Sequence, residues 1–197
     1  MRQNDSKTVP FRITETDLPG LKAITPFFAA DERGFLLKYF EDTLFKENGI
    51  SFSTAECFES LSVQYVLRGI HFQTNYPQAK LVRVVYGEIW DVAVDLRENS
   101  PAFLRWHARA LSGENREALY IPPGFGHGFF VVSKQALVNY QCAGAYDKES
   151  DTGIIWNDQD ICIPWPIPPG ISPLVSQRDA GLQTARDMKG KLFDYEG

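Results

Sequence analysis

Four basic side chains, Arg68, His71, Lys80 and Arg83, fall within sixteen residues of a stretch whose other members read largely as β-strand. An imidazole gains and loses a proton near neutral pH. A lysine ammonium stabilises an oxyanion or holds a phosphate. In Arg68-Gly69-Ile70-His71-Phe72-Gln73 and Lys80-Leu81-Val82-Arg83 the two types together point to proton abstraction from an anionic substrate. The alternative is a surface strand whose histidine and basic neighbours are solvated. His127 lies in Pro122-Pro123-Gly124-Phe125-Gly126-His127-Gly128-Phe129, where glycines permit tight turns and close backbone approach. It either contacts a substrate phosphate and shapes a pocket, or it bonds a backbone carbonyl as a structural residue.

The chain has three histidines, His71, His107 and His127, and no His-x-His pair. A two-histidine, one-carboxylate metal site would want such a pair on one strand, so no metal is expected. A centre built from His71, His127 and a carboxylate stays open as the alternative.

Strands must position these groups. Lys80 to Val85 is rich in β-branched residues, and Gly87 interrupts it as a turn would. Trp90, Val92, Val94 and Leu96 share one parity, while Asp91, Ala93, Asp95 and Arg97 share the other. That alternation predicts a strand with one apolar and one polar face. Further strands are expected over 103–111 and 118–121, and a hairpin joining 129–132 to 136–142 around Ser133-Lys134. Many short strands punctuated by Gly and Pro imply a sandwich or barrel. One short helix is expected over 42–48, capped by Asp42 or Thr43 and ended by Gly49. Ser176 to Lys191 has weak helical potential. Pro164 to Pro173 holds five of the twelve prolines and reads as an extended segment crossing the domain surface.

A chain of 197 residues is expected to form one domain with its own core. A net charge of −5 offers no domain-wide basic surface, which argues against nucleic acid as a partner. Met1 to Lys7 lacks the apolar core of a leader, and no apolar run is long enough to span a membrane. Cys57, Cys142 and Cys162 form no CxxC pair, so they read as reduced, packed thiols of a cytoplasmic protein.

A more specific pattern runs through the chain in order. It comprises Asp31-Glu32-Arg33-Gly34-Phe35, the Arg68–Gln73 and Lys80–Val84 segments, Gly87 to Arg97, Ser100-Pro101, Leu111-Ser112, Glu114-Asn115, Ile121 to Phe125, His127-Gly128-Phe129, Trp156-Asn157-Asp158 and Trp165-Pro166. This series closely resembles the dTDP-4-dehydrorhamnose 3,5-epimerase (dTDP-4-keto-6-deoxyglucose 3,5-epimerase) family over roughly residues 20 to 185. The resemblance implies an all-β, cupin-like jelly roll (double-stranded β-helix) with a few short helices. It also implies a homodimer that works on a nucleotide-linked 4-keto-6-deoxy sugar without metal or other cofactor, in deoxysugar and polysaccharide biosynthesis. It places the base on His71, its orienting carboxylate on Asp179 of Ser176-Gln177-Arg178-Asp179, a lysine on Lys80 and the acid on Tyr140. It places phosphate-side residues on Arg68 and His127, with Arg33 in a nucleotide-binding strand and Gln73 beside the catalytic histidine.

The chain departs from that pattern around the nucleotide. Lys38 stands where a carboxylate is usual, Glu56-Cys57-Phe58 replaces an amide-rich run, and Ala145-Tyr146 replaces paired tyrosines. An ammonium for a carboxylate inverts local charge and hydrogen-bonding role. These changes raise the expectation of a nucleotide other than dTDP, such as CDP or GDP, or of inversion at one centre only. Three other functions compete: a sugar-nucleotide keto-isomerase with another base arrangement, a metal-dependent oxygenase on the same fold, and a sugar-binding jelly roll without chemistry.

Overall fold

The computed structural model describes residues 7–195. The N-terminal residues 1–6, part of the segment read for a leader, lie outside them. The elements in chain order are β1 (Lys7–Val9), β2 (Arg12–Glu15), β3 (Lys22–Thr25), β4 (Phe27–Asp31), β5 (Gly34–Lys38), α1 (Asp42–Glu47), β6 (Thr54–Val63), β7 (Leu67–Gln73), β8 (Ala79–Tyr86) and β9 (Glu88–Asp95). They continue with β10 (Arg97–Glu98), β11 (Trp106–Ser112), β12 (Ala118–Ile121), β13 (Phe125–Val131), β14 (Gln135–Ala143), β15 (Asp151–Gly153), α2 (Gln177–Ala180), α3 (Ala185–Met188) and β16 (Phe193–Asp194).

Two sheets form the body. One has the order β2-β3-β12-β8-β14-β6, the other β11-β9-β13-β7-β15, and their neighbours pair antiparallel. From β6 to β9, and again from β11 to β14, successive strands alternate between the sheets, as in a jelly roll. Gly87 marks one crossing: its φ is +80°, and a Cβ there would lie 2.0 Å from the Gln135 carbonyl oxygen. The expected hairpin around Ser133-Lys134 is a second crossing. β13 pairs with β7 and β9, whereas β14 pairs with β6 and β8. Short polar turns look alike in sequence whether the next strand pairs locally or crosses over, so the hairpin expectation fails.

β9 is the alternating strand expected, and both of its faces are buried. Its Val92, Val94 and Leu96 side pack against Trp165, Ile161 and other residues of the C-terminal region. Its polar side is buried as well, with Asp91 and Asp95 fully enclosed. The polar face points into the barrel, where carboxylates need partners. Asp95 finds Arg97 and Ser100, at 2.8 and 2.6 Å.

The Pro164–Pro173 segment runs without regular structure across the outer face of the five-stranded sheet, as expected. Trp165 anchors it edge-on against Trp90, with ring centroids 5.5 Å apart, and donates its indole N–H to the Trp156 carbonyl. Truncating such a buried aromatic costs about 3–5 kcal/mol. That packing leads the chain back towards the barrel at α2. The outer face of the other sheet is closed by α1 through Phe45, with Ile50 and Phe52. Glu41, not Asp42 or Thr43, occupies the N-cap, and Asn48 the C-cap. The strand expected from Phe103 begins only at Trp106, because 101–104 are turn. Of the three thiols, only Cys142 is buried; Cys57 and Cys162 are exposed.

Candidate active site

Inside the barrel, Phe58, Ser60, Arg68, His71, Lys80, His127, Gly128, Phe129 and Tyr140 line a cavity of about 190 Å³. The apolar part of the interior borders it through Phe129 and Tyr140. The lining comes from both sheets. Arg68 and His71 lie on β7 and His127 on β13, in the five-stranded sheet. Lys80 lies on β8 and Tyr140 on β14, in the six-stranded sheet.

Arg68 and His71 are three residues apart and would point to opposite faces of a regular strand. The register supplies the reason they do not. His71 pairs with His127, but Arg68 pairs with Phe129, so β7 holds one residue more than β13 over this span. The bulge turns both side chains inward. It depends on glycine: at Gly69, φ is +105° and a Cβ would stand 2.5 Å from the His127 carbonyl oxygen. Arg68 is steadied by its Nε–H, which donates to Ser62 Oγ at 3.0 Å.

His71 Nε2 bonds Asp179 Oδ1 at 2.8 Å. The carboxylate is delivered by α2, whose sequence Ser176-Gln177-Arg178-Asp179 begins as a capped turn. Ser176 Oγ accepts the Asp179 N–H at 3.0 Å. The Asp179 side chain, free of any capping duty, turns into the barrel and also accepts the Gly69 N–H at 3.2 Å. Burial works against the Asp179 anion, but the bond and charge of His71, the Gly69 N–H and Ser176 outweigh it and hold the carboxyl below its ordinary range. An anionic carboxylate accepts, so Nε2 carries the His71 proton and Nδ1 is left as the basic nitrogen.

His127 forms a second pair of this kind, its Nε2 lying 2.8 Å from Asp91 Oδ2. Both groups are buried, and the His127 ring meets Tyr140 edge-on with centroids 5.9 Å apart. The structure thus gives His127 a side-chain carboxylate partner where the sequence offered a carbonyl. The metal alternative fares no better: each imidazole has its own aspartate, and among the described residues no three His, Cys, Asp or Glu side chains converge.

Burial pushes the Lys80 ammonium below its usual range, opposed by Cys142, Asp151, Asp91 and Glu56. Burial pushes the Tyr140 phenol well above its usual range, and Asp91 reinforces this while Ser60 and Arg68 oppose it. Tyr140 therefore stays a proton donor throughout the neutral range. An imidazole base on one sheet, a phenol acid on the other and a lysine beside them can remove a proton from one face of a molecule and return one to the opposite face.

The remaining expected site residues lie outside this cavity. Gln73 is a structural clip: its amide donates to the Tyr76 and Ala145 carbonyls and accepts the Asp147 N–H. Glu56 accepts from Gln78, and exposed Tyr146 donates to Asp151. Glu56 and Asp151 act on the charge of both Lys80 and Tyr146, which places this group at the Lys80 end of the cavity. Lys38 is paired with Glu41. Arg33 is paired with Asp31 on the β4–β5 turn and is absent from the cavity lining. Asp91 and Ser60 escaped the sequence reading. The alternation of β9 gave a signal for Asp91, had its polar face been read as interior.

The family model for dTDP-4-dehydrorhamnose 3,5-epimerase matches residues 15–187. A dTDP-4-dehydrorhamnose 3,5-epimerase of Methanothermobacter thermautotrophicus is 45% identical over 177 residues, covering 90% of this chain and 96% of its own. A dTDP-6-deoxy-D-glucose-3,5-epimerase of Legionella pneumophila, solved in complex with dTDP-4-keto-L-rhamnose, superposes with a TM-score of 0.91 at 37% identity, covering 95% of this chain and all of its own. A 4-keto-6-deoxy sugar epimerase from the novobiocin cluster of Streptomyces spheroides gives 0.89 at 34% identity, with 96% of each chain covered.

Proposed function

This chain belongs to the dTDP-4-dehydrorhamnose 3,5-epimerase family, and from that premise we propose that its barrel cavity inverts the carbons flanking the C4 ketone of a dTDP-linked 4-keto-6-deoxyglucose. The observation that carries the assignment of roles is the placement of His71 and Tyr140 on opposing sheets around one cavity.

The C–H bonds beside a ketone are acidic because the electron pair delocalises onto oxygen. His71 Nδ1 takes the proton, and Asp179 stabilises the resulting imidazolium. The electrons move to the C4 oxygen, where Lys80 donates to the enolate as charge develops. As the ketone re-forms, Tyr140 gives its proton to the carbon from the other side. His71 then releases its proton to water and the Tyr140 phenolate regains one. Side chains of this protein and water carry every step. Arg68 faces the diphosphate, with His127 forming the adjoining wall. The exposed ring of Tyr146 offers the nucleobase a stacking surface at the Lys80 end, near Glu56.

The same reading takes the chain as one catalytic domain, active in the cytoplasm as a homodimer. Support for the dimer comes from the β1-β4-β5 sheet, which carries Arg33 away from the cavity beside the exposed Phe35 and Leu36. Pairing of two copies through this sheet would cover the apolar side chains and give Arg33 a place at a second cavity.

The test is proton NMR of dTDP-4-keto-6-deoxyglucose incubated with the enzyme in heavy water, followed by competition with dTDP, CDP, UDP and GDP. Deuterium at C3 and C5 with inverted product, blocked best by dTDP, is expected. A keto-isomerised product, or no exchange, would overturn the proposal. Best competition by CDP or GDP would transfer it to another nucleotide and support a role for Lys38 and Glu56 at the base.

A further inference from the structure

Phe58 is out of place by the ordinary rules of burial. It is a large apolar side chain, 46% exposed, on the edge strand β6. It also lines the cavity, and it lies directly across from Tyr140 in the β14–β6 register. The two rings stack face to face, with centroids 4.6 Å apart and planes 15° from parallel. The tyrosine ring is also met edge-on by His127, with centroids 5.9 Å apart.

We propose that Phe58 is a positioning residue for the reprotonation step, holding the Tyr140 phenol in its donor orientation and keeping it dry. This rests on the reading of Tyr140 as the acid.

A phenol on a strand has two soft side-chain torsions, so its oxygen sweeps an arc unless the ring is confined. Two aromatic contacts, one stacked and one edge-on, confine it. A stacked pair adds an attraction beyond simple burial. Phe58 also covers one ring face with apolar surface, which disfavours the phenolate. The face-on neighbour presents π electron density, whereas a negative charge is better served by water or by hydrogen-bond donors. Phe58 thus acts on the same proton that Tyr140 must deliver, and it stands on the sheet opposite the group that removes the first one. His71 and Asp179 sit on the opposite sheet and on α2.

The separation defines the test. Phe58→Leu keeps apolar bulk and loses the aromatic face, and Phe58→Tyr keeps the face. Each is compared with wild type and with Tyr140→Phe for deuterium uptake and for inverted product, across alkaline pH. In Phe58→Leu, uptake should stay within about two-fold of wild type while inversion falls about five-fold, the scale of one aromatic pair. The alkaline limit of inversion should move to lower pH, because a wetter Tyr140 loses its proton sooner. Phe58→Tyr should restore both. An equal fall in uptake and inversion with an unmoved alkaline limit would mean a merely structural role and overturn the inference, as would wild-type behaviour of Phe58→Leu. If Tyr140→Phe itself inverts normally, the acid assignment fails first, and that result is separate from a failure confined to Phe58.

Discussion

The barrel contains two imidazole–carboxylate pairs with the same 2.8 Å bond, His71–Asp179 and His127–Asp91, and they live in different surroundings. The side chains of the first are 27% and 5% exposed; those of the second are 5% and 0%. Asp179 reaches its histidine from a four-residue helix some hundred residues later in the chain, whereas Asp91 sits on the strand beside His127. An imidazole that keeps one nitrogen accessible can exchange protons with substrate and water. One sealed inside a sheet is held as a wall. On the proposed reading, the same chemical pair serves as a reactive group or a structural one according to how far its imidazole is exposed to the cavity.

That contrast predicts unequal responses. His71→Asn should lower deuterium uptake at the acidic carbons about 10³-fold, within the range by which a positioned general base accelerates proton transfer. Nucleotide affinity, measured by calorimetry, should change little. Uptake near the wild-type rate would identify another base.

Asp179→Asn should cost about 10²-fold in uptake, since the amide leaves the His71 tautomer unspecified and the imidazolium uncompensated. The pair also gives stability a pH signature. The Asp179 carboxyl is held below its unfolded value, so its stabilising contribution is full above about pH 4 and is lost as pH falls through the lower folded value. Thermal melts of the variant should lose that acid-side decline relative to wild type.

Asp91→Asn should act chiefly on stability, because it weakens a buried charge-assisted bond and keeps its shape. A loss of about 1–3 kcal/mol in denaturant unfolding is expected, with uptake per folded molecule within about ten-fold of wild type. A collapse of uptake as deep as that of His71→Asn would show that the sealed pair takes part in chemistry.

Much of this arrangement was legible in the sequence, and the failures have a common cause. Period two located β9, β-branched content located β8, and the ordered motifs implied the jelly roll and singled out His71, Lys80, Tyr140 and Asp179, which the fold brings together. Period two could not say that both faces of β9 are buried, because a polar residue reads the same towards water or towards a polar interior. It also could not bring Arg68 and His71 to one face, since a bulge is a property of two strands in register and is invisible in one. The turn at Ser133-Lys134 was misread for a similar reason: local turn chemistry does not encode which sheet the next strand joins. Arg33, Lys38 and Gln73 were placed by motif position alone. In the structure their partners are Asp31, Glu41 and the 145–147 backbone.

Proton removal is assigned to one sheet and proton return to the other, and one experiment reads that division directly. Tyr140→Phe is incubated with substrate in heavy water, and deuterium at C3 and C5 is followed alongside inverted sugar. Uptake should stay close to wild type, because His71 and Asp179 are untouched, with inverted product down by at least about 10²-fold for want of a donor on the opposite face. Inverted product forming at the wild-type rate would contradict that division and remove Tyr140 from the reaction.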